Sequence, residues 1–123
     1  MKPLNKQSAA QLLERIDNAA NGEIRSLAIL DATAMQLRLS VQDRNRGYDW
    51  IDIIFEIDGI CDARLLDDAK LRHVGTGEGI SLLFEGDRVG MGIGSYRTIA
   101  ALGDSVLFMV GDGVKYAEAA FSG

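Results

Sequence analysis

The run Val106-Leu107-Phe108-Met109-Val110 is apolar at every position, and a strand of that kind needs cover on both faces. Residues 48–57 make the same demand. Successive side chains of an extended chain point to opposite faces, so Ile51, Ile53, Phe55 and Ile57 share one side. Tyr48, Trp50 and Ile54 share the other, among Asp52 and Glu56. Ile80–Phe84 is nearly as apolar. The one clear helix, about 14 residues and thus about 21 Å long, covers only one face of a sheet built from such strands. The second face is hidden either by the sheet curling on itself or by a second copy of the chain.

That helix is expected at about residues 8–21. Ser8 stands as an N-cap with Gln11 three residues on, a capping-box spacing. Leu12, Leu13, Ile16, Ala19 and Ala20 recur at helical intervals, and Asn21-Gly22 supplies a left-handed stop. By Met35 the period is two: Met35, Leu37, Leu39 and Val41 alternate with Gln36, Arg38, Ser40 and Gln42. The polar loop 43–47 then leads to a return strand at 48–57, and Asp58-Gly59 turns the chain into 60–65. Strands follow at 80–84, 88–93, 106–110 and 114–121. Gly86-Asp87 and Asp112-Gly113 are the expected turns of two hairpins. Pro3 is the only proline and lies before all of them. The pattern predicts one α+β domain over 1–123. An N-terminal helix precedes a mainly antiparallel sheet of about 6–8 strands at about 24–121, curled into a roll or partly open barrel.

Thirteen basic and eighteen acidic residues give a net charge of −5. Phosphate contacts supply most of the affinity for nucleic acid, and such a surface repels a polyanion, so no nucleic-acid partner is expected. Residues 31–68 hold the imbalance: Asp31, Asp43, Asp49, Asp52, Glu56, Asp58, Asp62, Asp67 and Asp68 face only Arg38, Arg44, Arg46 and Arg64. They are either a solvated face or a surface that steers toward a basic protein. A single cysteine, Cys61, rules out an internal disulfide and a four-cysteine zinc site. With no signal-like apolar region at the N-terminus and no run of membrane-spanning length, a cytoplasmic location off the membrane is expected.

Candidate chemistry is thin. His73, the sole histidine, lies in a polar loop near Asp67, Asp68 and Glu78, the setting of a surface histidine more than of a base or ligand. Cys61 sits between Asp58 and Asp62, which oppose thiolate formation, and reads as a small buried hydrophobe. Asp49 and Asp52 fall on opposite faces of one strand. Asp52 and Glu56 share a face but stand about 13 Å apart, too far for a carboxylate pair. Gly75–Gly79 lacks the Lys-Ser/Thr of a phosphate loop. Gly90, Gly92 and Gly94 strip side chains from one face of a strand, which permits close packing, a bend or the wall of a small-ligand cavity. No cofactor and no metal site are implied.

Three readings follow. The first is a non-enzymatic interaction module of inhibitor, immunity or regulatory type. Tyr48, Asp49, Trp50, Asp52 and Ile54 are its binding residues and a basic protein its partner. The second is a small-molecule-binding roll or enzyme walled by Gly90, Gly92 and Gly94. The third is a homodimer or larger homo-oligomer that uses the second apolar face. Trp50 belongs either to the core or to such an interface.

Overall fold

The computed structural model describes residues 1–123, apart from the side chain of Asp68. Ten strands run in chain order: β1 (Lys2–Pro3), β2 (Gly22–Asp31), β3 (Ala34–Asp43), β4 (Asp49–Asp58), β5 (Asp62–Arg64), β6 (Gly75–Thr76), β7 (Ile80–Glu85), β8 (Arg88–Ile93), β9 (Phe108–Gly111) and β10 (Gly113–Ala120). Helix α1 (Lys6–Arg15) follows β1, and the single-turn α2 (Asp68–Leu71) follows β5. Every pairing is antiparallel, so the α+β class with antiparallel sheets holds. The strands divide into two sheets, ordered β1-β10-β4-β3-β2-β6 and β5-β9-β8-β7, where the sequence suggested one.

The two sheets share a core. Leu37, Leu39, Ile53 and Phe55 from the large sheet meet Met91 and Met109 from the small one, and all are buried. Helix α1 lies alongside β7 and adds Ala9 and Leu12 to that core, joined by its C-cap Ile16. Helix and small sheet together cover the inner face of the large sheet.

One correction to the expected hairpins explains the division, while the hairpin turning at Gly86-Asp87 forms as expected. The strands expected at 106–110 and 114–121 are not partners. β9 pairs with β8 and β5, whereas β10 pairs with β4 and β1. The chain crosses between sheets at Gly111–Gly113 and again after Asp58, and the two crossings are tied where Asp112 donates its N–H to the Asp58 carbonyl at 2.8 Å. Gly111 permits this, because a Cβ there would come within 2.4 Å of that same carbonyl oxygen.

Helix α1 also starts earlier and ends sooner than its apolar stripe suggests. Asn5 is the N-cap: its side chain accepts the Ser8 N–H at 2.8 Å, and the Ser8 hydroxyl accepts the Asn5 N–H at 2.9 Å. Ser8 thus closes the capping box from its far side. After Ile16, Asp17, Asn18 and Ala19 all take positive φ (53°, 55° and 59°) and form a left-handed turn. Such residues cost about 1–2 kcal/mol each. Thr76 holds the turn by donating to the Ala19 carbonyl at 2.7 Å, and Asn21 donates back to the Thr76 carbonyl at 2.9 Å. Ala19, fully buried, joins the core in a backbone state that periodicity does not reveal.

The outer face of the small sheet is roofed by the chain itself. The segment between β8 and β9 folds back over it, and Leu102 and Ile99 seat against the bare strip of β8. A Cβ at Gly90 or Gly92 would approach Leu102 to 2.6 Å. Glycine here admits a close-packed cover for Phe108 and Val110, the second face of the continuous apolar strand.

Candidate binding face

The outer face of the large sheet carries no such roof. Register places Gln36 opposite Glu56, Arg38 opposite Ile54, Ser40 opposite Asp52 and Gln42 opposite Trp50. On the far side of β4, Lys115, Ala117 and Ala119 of β10 continue those rows. Trp50, Asp52 and Ile54 therefore line up on one face at alternate positions of β4. The hairpin after β3 brings Tyr48 and Asp49 to the rim: both are exposed, and Tyr48 holds φ 67°. Asp49 opposes Asp43 and belongs to the other face at the strand end. Trp50 is half-buried on this open face and is absent from the core.

Asp52 is 0% exposed although no layer packs over its face. Arg38 Nε donates to one carboxylate oxygen at 2.6 Å and the Ser40 hydroxyl to the other at 2.6 Å. Ser40 in turn accepts from Arg25 Nε at 2.7 Å. The remaining cover is the segment Phe121–Gly123, which leaves β10 and crosses this face. Ser122 lies near Asp52 and contributes to holding its carboxyl low. Phe121 lies against Trp50 with ring centroids 5.6 Å apart, and the Arg25 guanidinium stands over the Phe121 ring, 5.3 Å from its centroid. Burial pushes the Asp52 carboxyl up, but Ser122, Ser40 and Arg38 together outweigh it and leave the group below its ordinary value.

A second buried carboxylate lies close by in sequence. Asp43, also 0% exposed, ends β3 on the core side and receives Arg15 in a two-pronged contact at 2.8 and 2.6 Å. Asn45 N–H adds a bond at 2.9 Å, and Arg46 stands at 3.4 Å. Arg15 and Arg46 both reach on to Glu118 of β10. This cluster ties α1 to both β3 and β10. The Arg15 bond, aided by Asn45 and opposed by burial, holds the Asp43 carboxyl below its ordinary value.

The acids of residues 31–68 do not gather into one patch. Asp43 and Asp52 are buried against arginines, while Glu56 and Asp58 share Lys115, each at 3.5 Å. Asp31 sits at the β2–β3 turn, where it accepts the Thr33 N–H, and Asp62 lies in the small sheet. Cys61 corrects another expectation. It is exposed, because it precedes β5 at the rim of the small sheet, and its thiol meets Arg88 at 2.5 Å. His73 is exposed just after α2.

Four contributors to the Trp50 face escaped sequence reasoning. Arg38 and Ser40 stood on the polar side of a recognised strand, and only the pairing register brings them to Asp52. Phe121 was read as the end of the last strand, whereas β10 stops at Ala120. Arg25 carried no signal, since it occupies a bulge between the Ile24 and Ser26 pairings of β2.

Away from this face, an open groove of about 540 Å³ lies between α1 and β7, with Leu13 and Phe84 among its lining. No helix is long and apolar enough to cross a membrane. No family model matches the chain, and no curated protein or solved structure matches it.

Proposed function

We propose that the protein is a non-enzymatic, cytoplasmic interaction module that engages a protein partner through the outer face of its six-stranded sheet. One observation carries the reading: Trp50, Ile54 and Phe121 stand on the face of the large sheet that points away from the shared core, with Trp50 and Phe121 in contact. Half-exposed aromatic groups beside an arginine are the composition of an interface anchor. The net charge of −5 favours a basic partner through the overall field. Dispersal of the acids makes that steering diffuse, so the aromatic anchor supplies most of the affinity.

A photo-reactive residue at Ile54 tests this against the same residue at Thr98, on the roof of the small sheet. A defined protein adduct from position 54 and none from 98 supports the face. An adduct of twice the chain's mass assigns it to a second copy instead. Equal labelling at both positions removes the face from consideration. With the partner in hand, Trp50→Ala combined with Asp49→Asn weakens binding by tenfold or more, as truncating an anchor costs about 2 kcal/mol. Unchanged affinity would remove Trp50 from the contact.

A small-molecule site in a curled roll beside Gly90, Gly92 and Gly94 has less to support it. Leu102 and Ile99 lie against Gly90 and Gly92, and Tyr96 against Gly94. The neighbouring hollow, lined by Cys61, Arg88 and Phe108 among others, holds about 240 Å³. Small-molecule sites usually offer roughly 300–1,000 Å³.

A further inference from the structure

We propose that the free edge of β7 takes an extended segment of a partner protein as an added strand, and that this segment alternates apolar with acidic residues. The site is the open groove between α1 and β7, in the small sheet and away from the Trp50 face.

The sheet edge supplies the backbone chemistry. In the small sheet, β5 closes one edge with three residues, whereas β7 ends the other with six. Ile93 donates its N–H to the Leu107 carbonyl at 3.2 Å, so Val89, Met91 and Ile93 turn their backbone groups toward β9. Arg88, Gly90 and Gly92 then serve β7, where their partners are Glu85, Leu83 and Ser81. Leu82 and Phe84 therefore direct N–H and C=O away from the ladder. Among the described residues no other backbone group bonds to those of Leu82 and Phe84. The groove runs along this edge and not over a face: Leu82, Leu83, Phe84 and Glu85 all line it, although successive side chains alternate between faces. A row of unpaired backbone groups is a template for another strand.

The walls on either side of the edge set what the added strand carries. Leu82 and Phe84 point to the core side, where Ala10 and Leu13 of α1 form the wall, so alternate side chains of the segment meet apolar surface. On the opposite side Leu83 packs under the roof and Arg97 stands exposed in the wall. Arg97 and Lys6 make no ion pair among the described residues. The acids beside them are engaged: Arg44 reaches Glu14 at 3.4 Å, and Glu85 accepts the Ile99 N–H at 2.8 Å. Asp17, the remaining acid of the lining, lies at the far end. It precedes Asn18, which abuts Gly79, whereas Lys6 borders Phe84 and Gly86. Two cations without ion pairs thus favour carboxylates on the segment toward the Phe84 end, against the sign of the molecule's overall charge.

The test titrates the full, isotope-labelled chain with a capped peptide, acetyl-Ser-Val-Glu-Val-Glu-Val-Ser-amide, followed by amide NMR. Saturable shifts centred on Leu82–Glu85 are expected, half-complete at about 1 mM peptide or below. The indole N–H of Trp50, the only tryptophan, stays in place. Exchanging both peptide glutamates for lysine, or combining Lys6→Gln with Arg97→Gln in the protein, weakens binding by about threefold to tenfold. Strand pairing has its own signature. With the valines against α1, their N–H groups face β7 if the segment runs antiparallel, and the glutamate N–H groups do so if it runs parallel. N-methylation of one set therefore abolishes binding and that of the other spares it. Binding that survives both methylated sets overturns the proposal, and so does a lysine peptide that binds equally well. The absence of saturable shifts, or shifts confined to the Trp50 face, has the same consequence. Shifts at 82–85 that grow with protein concentration alone assign the edge to a second copy and overturn it too.

Discussion

Asp43 and Asp52 are two aspartates of one hairpin, both 0% exposed and both bound by an arginine at 2.6 Å. They differ in what closes them. Around Asp43, the closing groups come from α1, from the turn after β3 and, through Glu118, from β10. Those elements are fixed by the core that Ala9, Leu12, Ile16 and Ile53 build. Around Asp52, Arg38 and Ser40 are neighbours on β3, but the last cover is a tail with no ladder bonds. A carboxylate sealed by core-bound elements anchors the fold. One covered in part by residues beyond the last strand depends less on the core for its closure.

Substitution should separate the two, and the larger effect belongs to Asp43. Asp43→Ala leaves Arg15 and Arg46 without their shared buried partner and loosens α1 from β3. Breaking one side of a buried pair costs about 3–5 kcal/mol, with the low end expected because Glu118 still serves both arginines. Asp52→Asn keeps the shape and part of the bonding and forfeits the charge, a loss of about 1–2 kcal/mol. Urea unfolding of the two variants measures the difference. Equal losses would erase the distinction between the two carboxylates.

The sequence carried the layer logic better than the wiring. Alternation from Met35 to Val41 identified a strand with one wet face, the double-faced pattern around Trp50 identified one that needs cover on both sides, and β3 and β4 do pair as a hairpin. The same reasoning required a cover for 106–110. Nothing local said that residues 95–106 provide it, because the fit depends on Leu102 reaching two glycines in a neighbouring strand. Turn residues also misled at Asp112-Gly113. A short glycine turn reads as a hairpin whether the next strand returns to its neighbour or crosses to the other sheet. Trp50, Asp52 and Ile54 were legible as one face of β4. The groups that complete that face were not, since Arg25 comes from a bulge, Ser122 from beyond the last strand, and each arrives only by register.

The smallest effect is also the sharpest discriminator. Both aspartate carboxyls lie below the ordinary 3.8 in the folded chain. A group lowered by folding holds protons less tightly in the native state than in the unfolded one. Its contribution is complete above the unfolded value and is lost as pH falls through the folded one. Stability is therefore expected to be level with respect to these two groups above about pH 5 and to decline below about pH 4. Ser122→Ala removes a hydroxyl that helps lower Asp52 and that plays no part around Asp43. Burial then acts on Asp52 with less opposition, and its titration moves upward while that of Asp43 stays in place. Carboxyl carbon shifts followed by NMR from pH 6 to 2 report the two groups separately. If both titrations move, or neither does, the tail does not govern Asp52 independently of the core, and the two carboxylates belong to one structural network.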